Sequence, residues 1–335
     1  MHIRKTFFGA AYYDEYMPED RIDEDIRLMK KAGMNLVRIA ESTWSTCEPE
    51  PGVFDFSHVV RVLDKMEEAG MYVIVGTPTY AVPSWMERMH PEIIAETHTG
   101  RPYYGHRQIM DITSPAYLFY AERVIRKLME VSAHRSCVIG FQLDNETKHY
   151  DTAGKNVQAM FVRHLRKVFD DDIEKMNRAF GLDYWSNRIR YWEDFPDVRG
   201  TINGSLAAEF DKFRRTLVDD FLKWQADIVS EYKREDQFIT HNLDFDWRGG
   251  SYGLQPSVDH FHASKAMTVC GADIYHPSQD RVTGEEASFG GDIVRSLMKK
   301  NYLVLETEAQ GFPDWTPFDR QLRLQAYSHL ASGAD

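Results

Sequence analysis

Short apolar runs that break off at an acidic residue limit what this chain can fold into more than any other feature. Residues 137 to 147 read CVIGFQLDNET. The run Cys137-Val138-Ile139-Gly140-Phe141-Gln142-Leu143 turns abruptly polar at Asp144-Asn145-Glu146-Thr147. A run of that length, nearly continuous rather than alternating, reads as a strand buried on both faces of a parallel sheet. Residues 302 to 308, YLVLETE, repeat the construction, with Glu306 closing the run. Parallel strands need crossover helices between them, and ligands of such folds bind at the carboxyl ends of the strands.

The chain supplies the helices. Strands are read at 7–13, 35–39, 72–76, 137–143, 238–242, 272–275 and 302–305. Helices are read at 18–32, 57–69, 117–131, 155–169, 206–232 and 318–330. Ser57 is expected as a helix N-cap, and Gly33 and Gly70 as C-terminal glycines. A connection from 77 to about 115, rich in proline and aromatic residues, is long enough to carry function. Residues 170–205 read as an insertion, because Trp185, Trp192, Pro196 and Gly200 break any single periodicity. Seven strands with helices alternating between most of them predict an α/β fold, the (β/α)8 TIM barrel, over residues 1–335. The chain stops at Ser332-Gly333-Ala334-Asp335, where an eighth strand is due, so a C-terminally incomplete barrel from a longer chain is expected.

A formal charge of −12 and the lack of a basic stripe argue against nucleic acid as a partner. No stretch approaches the roughly 20 apolar residues of a membrane span. The apolar patch near the N-terminus is too short for a signal segment and runs into Asp14 and Glu15. Cys47, Cys137 and Cys270 are far apart, with no zinc-type spacing, and are read as reduced thiols of a cytoplasmic protein. His260 and His262 alternate without a carboxylate or cysteine cluster and are read as structural. No metal and no cofactor are expected.

Two carboxylates at the ends of buried strands are equipment for cleaving a glycosidic bond. Glu146 is the candidate acid/base and Glu306 the candidate nucleophile, with Glu308 a rival on the same strand face. The alternative is that Glu146 merely caps the next helix; the strand-end position of both glutamates favours the catalytic role. Asn145 is placed to hydrogen-bond a sugar hydroxyl beside the reacting carbon. Arg38 and Glu41 end the second strand, as a surface ion pair or as groups steering a carboxylate. Arg107 is a loop arginine. Tyr275 and His276 end the sixth strand, where a tyrosine can hold the nucleophile by hydrogen bond. Trp315 follows the seventh strand and can wall a sugar site.

Several stretches together resemble glycoside hydrolase family 42, the β-galactosidases. They are AYYDEY at 11–16, NLVRIAESTWSTCEPEPGVFDF at 35–56, GTPTYAVPSW at 76–85, GFQLDNE at 140–146 and LVLETEAQGFPDW at 303–315. The resemblance implies an acid/base after the fourth strand and a nucleophile after the seventh, matching Glu146 and Glu306. It implies sugar contacts at Arg107, Asn145 and Trp315, with Arg38 and Glu41 behind them or at the wall. It implies retaining exo-hydrolysis of short β-galactosides and a homotrimer for the full-length protein. Family members continue past the barrel into a trimerisation domain and a small β domain, neither of which is in this sequence. Some carry a four-cysteine zinc cluster after the acid/base; residues 148–154 here hold no cysteine. Close alternatives are the same mechanism on α-L-arabinopyranosides or β-D-fucosides, or a non-catalytic sugar-binding relic. A barrel enzyme for phosphorylated substrates is disfavoured by the lack of a glycine-rich phosphate loop late in the chain.

Overall fold

The computed structural model describes residues 6–245, 253–275, 284–307 and 320–335. The apolar runs become parallel strands. β1 (Gly9–Ala11), β2 (Leu36–Ile39), β3 (Tyr72–Gly76), β4 (Val138–Gln142) and β5 (Phe238–Thr240) pair in that order. β6 (Asn242–Asp244), β7 (Gly271–Asp273) and β8 (Leu303–Glu306) form a second parallel set. Only His241 separates β5 from β6, so the two are halves of one stave. The result is a (β/α)8 barrel in which the described residues supply seven staves. No eighth strand is legible in the sequence, but the structure contains its first bridge. Ala334 pairs in parallel with Tyr302, and the Asp335 N–H donates to the Tyr302 carbonyl at 2.9 Å.

The crossovers are amphipathic. α1 (Ile22–Lys31) buries Ile22, Ile26 and Met29, and α2 (Trp44–Cys47) is a single turn. α3 (Ser57–Ala69) buries Val59, Val62, Leu63 and Met66, the one-sided stripe of a helix lying on a sheet. Ser57 is its first helical residue rather than its cap: Phe56 holds the cap position, and the Ser57 N–H donates to Asp55 Oδ1 at 2.8 Å. The long connection after β3 folds into α4 (Ser84–Met89) and a bridge between Ile94 and Met110. α5 (Pro115–Ser132) and α6 (Lys155–Val168) flank β4. The 170–205 segment holds α7 (Ile173–Phe180) and three short 3-10 turns. α8 (Gly204–Ser230), α9 (His260–Ala263), α10 (Glu285–Met298) and α11 (Gln321–Ala331) complete the set. α10 is a helix that the sequence reading lacks. No helix among the described residues is long and apolar enough to cross a membrane.

β4 is packed so tightly that one of its residues has no room for a side chain. A Cβ on Gly140 would lie 2.3 Å from the ring of Phe238 on β5, itself buried. Neither backbone can yield without breaking the ladder between the two strands. Gly140→Ala is therefore expected to destabilise the fold by about 1–3 kcal/mol through overpacking. Urea unfolding of the pair of proteins measures it, and an unchanged midpoint would contradict the packing described.

Candidate active site

The active end of such a barrel is where its strands finish, and the acidic strand ends meet there. Leu143 follows β4, and the chain then turns sharply. Asp144 and Glu146 both take left-handed backbone angles, φ 45° and 42°, which side chains with a Cβ rarely adopt. The surroundings enforce this strained turn. The His241 Nδ1–H donates to the Leu143 carbonyl at 2.7 Å, and its Nε2 accepts from the Thr147 N–H at 3.3 Å. Burial pushes this imidazole down to about 4, so it is neutral at ordinary pH, and the two bonds fix its tautomer. Asp144 accepts from the hydroxyls of Thr79 and Thr147, each at 2.5 Å, and burial raises its carboxyl to about 6. The Glu146 N–H donates to Asn242 Oδ1 at 3.0 Å.

Glu306 arrives from β8. Its Oε1 takes a bond from Arg38 Nη2 at 2.5 Å and its Oε2 one from the Tyr275 hydroxyl at 2.7 Å. Arg38 is no surface group: it is 3% exposed, and Glu41 beside it is 0% exposed. Arg38 Nη2 lies 3.1 Å from Glu41, and Nη1 donates to Gln142 Oε1 at 2.9 Å. Burial works against the guanidinium charge, but Glu41 and Glu306 outweigh it, and the pKa is raised. The Tyr13 hydroxyl donates to Glu41 at 2.6 Å. Burial and the charge of Glu306 hold the Tyr275 phenol protonated well past its ordinary range.

Carboxylate oxygens of Glu146, Glu306 and Asp273 all lie within 4.8 Å of one another. Glu146 and Glu306 are each about one-seventh exposed, at 14% and 15%. Burial raises the pKa of Glu146, and the charges of Asp244 and Glu306 add to the rise, while Lys148 and Arg107 oppose it. Arg107 reaches in from the long connection, with Nη2 3.4 Å from Glu146 Oε2 and its guanidinium over the Tyr80 ring. Asn145 is buried; its Oδ1 accepts from Asn242 at 2.9 Å, while its Nδ2 has no partner among the described residues. A buried amide donor left open in this way is costly unless a ligand takes it up.

Of the residues singled out from sequence, Glu146, Glu306, Asn145, Arg38, Glu41, Tyr275 and Arg107 come together at this end of the barrel. Trp315, Glu308 and His276 lie outside the described residues. Three contributors have no role in the sequence reading: Asp273, Asn242 and Tyr13. Asp273 stands two residues before Tyr275, hence on the same strand face, and that spacing is the signal that could have found it. Three close carboxylates could in principle hold a cation, but Arg38 already takes up the charge of one of them. His260 bonds the Asp244 carbonyl and His262 bonds Asp259. A cavity of about 680 Å³, lined by Phe238, Cys270 and Asp335 among others, opens at the opposite end, where these strands begin.

Paired glutamates at the strand ends of a (β/α)8 barrel, one of them clamped by a guanidinium, are the arrangement in which glycosidases of this fold place their carboxyls. The chain belongs to glycoside hydrolase family 42: the family profile, described as beta-galactosidase, matches residues 11–335. It is 28% identical to a beta-galactosidase of Thermus thermophilus over 354 residues, covering 98% of this chain and 53% of that protein. It is also 28% identical to a beta-galactosidase of Bacillus licheniformis over 310 residues, covering 90% and 44%. The crystal structure of the beta-galactosidase from the psychrophilic Marinomonas ef1 superposes with a TM-score of 0.87 at 26% identity, covering 98% and 53%. In fold alone it also matches a family 42 beta-galactosidase from G. stearothermophilus, TM-score 0.89 at 22% identity, covering 98% and 50%. The chain thus spans about half the length of the curated relatives it matches.

Proposed function

We propose that this chain is the catalytic barrel of a retaining exo-β-galactosidase. It would release terminal non-reducing β-D-galactose from short galacto-oligosaccharides by double displacement. The observation that carries the reading is that one oxygen of Glu146 and one of Glu306 lie within 4.8 Å at the ends of two staves, which favours the shorter of the two carboxyl spacings that glycosidases use. Retaining enzymes hold their carboxyl groups about 5–5.5 Å apart, whereas inversion needs about 6.5–9.5 Å to admit a water. In the first half, a Glu306 oxygen attacks the anomeric carbon, the glycosidic C–O bond breaks, and the Glu146 proton passes to the departing oxygen. In the second half, a water oxygen attacks that carbon, its proton passes to Glu146, and the ester to Glu306 breaks.

The remaining groups take roles by position. Arg38 and Tyr275 fix both oxygens of Glu306 and stabilise its negative charge. The open Nδ2 of Asn145 is the donor for a hydroxyl beside the reacting carbon. Arg107 borders Glu146 and is assigned to the sugar, as is Trp315 by resemblance. Assembly as a homotrimer rests on the family resemblance, and a cytoplasmic location on the three free cysteines.

Para-nitrophenyl β-D-galactoside tests the proposal. Proton NMR of the early reaction should show β-galactose first, with the α anomer growing in later by mutarotation. An initial α product would overturn retention, and no release of nitrophenol would overturn the activity. Faster turnover of the matching α-L-arabinopyranoside or β-D-fucoside would move the reading to those sugars.

A further inference from the structure

Asp273 is the third carboxyl of the site, and neither half-reaction uses it. On parallel strands β7 and β8 it is the direct register partner of Glu306, across an irregularity between Ala272 and Asp273. It is 1% exposed. Its Oδ2 accepts from Asn242 Nδ2 at 2.7 Å, and its buried Oδ1 has no partner among the described residues. The groups facing it are Glu306 on β8, Glu146 after β4, Arg38 on β2 and Tyr275 on its own segment.

Charge around Asp273 is already committed. The single guanidinium of Arg38 faces both Glu41 and Glu306. Lys148 pairs with Asp244 at 2.7 Å, and Arg107 reaches Glu146 rather than Asp273. Among the described residues, an ionised Asp273 would add a negative charge with no cation of its own, and would leave a buried anionic oxygen with no donor. A proton on Oδ1 removes both penalties. It makes the group neutral beside the carboxylates of Glu146 and Glu306, while Oδ2 keeps its bond from Asn242.

We propose that Asp273 stands in the resting site as a neutral carboxylic acid, a positioning residue that adds no further negative charge beside Glu146 to those of Glu306 and the Lys148-paired Asp244. This rests on the reading of Glu146 as acid/base and Glu306 as nucleophile. Esterification of Glu306 then switches off its charge, and the proton affinity of Glu146 falls between the two half-reactions. A permanently ionised Asp273 would blunt the switch by holding Glu146 protonated throughout. Burial, then the charges of Glu306 and Glu146, push the Asp273 carboxyl well above the ordinary carboxylate range, in the sense required.

Asp273→Asn tests this, because it keeps the shape and cannot ionise. With para-nitrophenyl β-galactoside, kcat/KM should fall by about tenfold through lost positioning, with the basic limb of its pH profile unmoved. Were Asp273 ionised in the native protein, removing its charge would lower the pKa of Glu146, and the basic limb would slide by about two units to lower pH. That slide overturns the proposal. Carboxyl-carbon NMR of the aspartate-labelled native protein gives a second readout, free of activity and of whether the variant folds. One aspartate should remain protonated after Asp144, at about 6, and Asp219, at about 7, have titrated. Absence of such a resonance overturns the proposal, and it does so whether or not the protein hydrolyses galactosides.

Discussion

Glu306→Gly is expected to lose galactoside hydrolysis by about four orders of magnitude or more, because no other group can form the covalent intermediate. That corresponds to about 5 kcal/mol of lost transition-state stabilisation. The fold should survive. Glu306 ends β8 with its side chain in the open end of the barrel, and Arg38 keeps Glu41 and Gln142 as partners when it goes. The vacated space beside Arg38 and Tyr275 suits a small anion. Added azide should restore turnover of activated aryl galactosides, attacking once from the side Glu306 occupied. A single displacement inverts the anomeric carbon, so the product should be α-galactosyl azide. Product analysis by NMR decides it. A β product, or undiminished hydrolysis by Glu306→Gly, would remove Glu306 from the nucleophile's role.

Most of the barrel was legible because parallel strands carry their burial in their composition. β2, β3 and β4 fall within a residue or two of the apolar runs at 35–39, 72–76 and 137–143. The single run read at 238–242 is a longer stave broken at His241, whose ring is turned to the 143–147 backbone. α10 was unreadable from local pattern: Gly290 and Gly291 interrupt it, the first in close contact with Ile274 and the second demanded by packing. A Cβ on Gly291 would lie 2.3 Å from the Tyr302 hydroxyl oxygen. One-turn helices such as α2 and α9 are too short to display a period. The eighth stave was invisible because a single bridge at Ala334 has no composition to read.

The site was half legible for a related reason. An acidic residue after an apolar run is visible, so Glu146, Glu306 and Glu41 stand out. An acidic residue inside a strand is not, since nothing in the local sequence says that its neighbours will be Glu306 and Glu146. Asp273 emerges only when β7 and β8 are placed in register. Asn242 likewise has meaning only in three dimensions. Its amide joins the Glu146 backbone, Asn145, Asp273 and, at 3.4 Å, Glu306. Arg38 was seen, but its burial was not, and burial is what turns a loose strand-end pair into a clamp on Glu306.

Glu146→Ala should separate the two halves of the reaction. Loss of the proton donor is expected to cost about 10³-fold on alkyl-type leaving groups, as in disaccharides. With a dinitrophenyl leaving group, which departs without a proton, the first half should proceed nearly as before, and the galactosyl-enzyme should accumulate because water lacks its base. A burst of phenol and a lowered KM would report that. Azide needs no base, so it should relieve the second half and yield β-galactosyl azide, the configuration opposite to that from Glu306→Gly. The pH profile supplies the sign. Burial and the charges of Asp244 and Glu306 raise the pKa of Glu146, so the protonated, active form persists above the ordinary carboxylate range and is lost as pH rises through that raised value. The native basic limb should therefore vanish in Glu146→Ala with the dinitrophenyl substrate. Equal losses on both leaving-group classes, with the basic limb intact, would mean that the proton comes from elsewhere in the site.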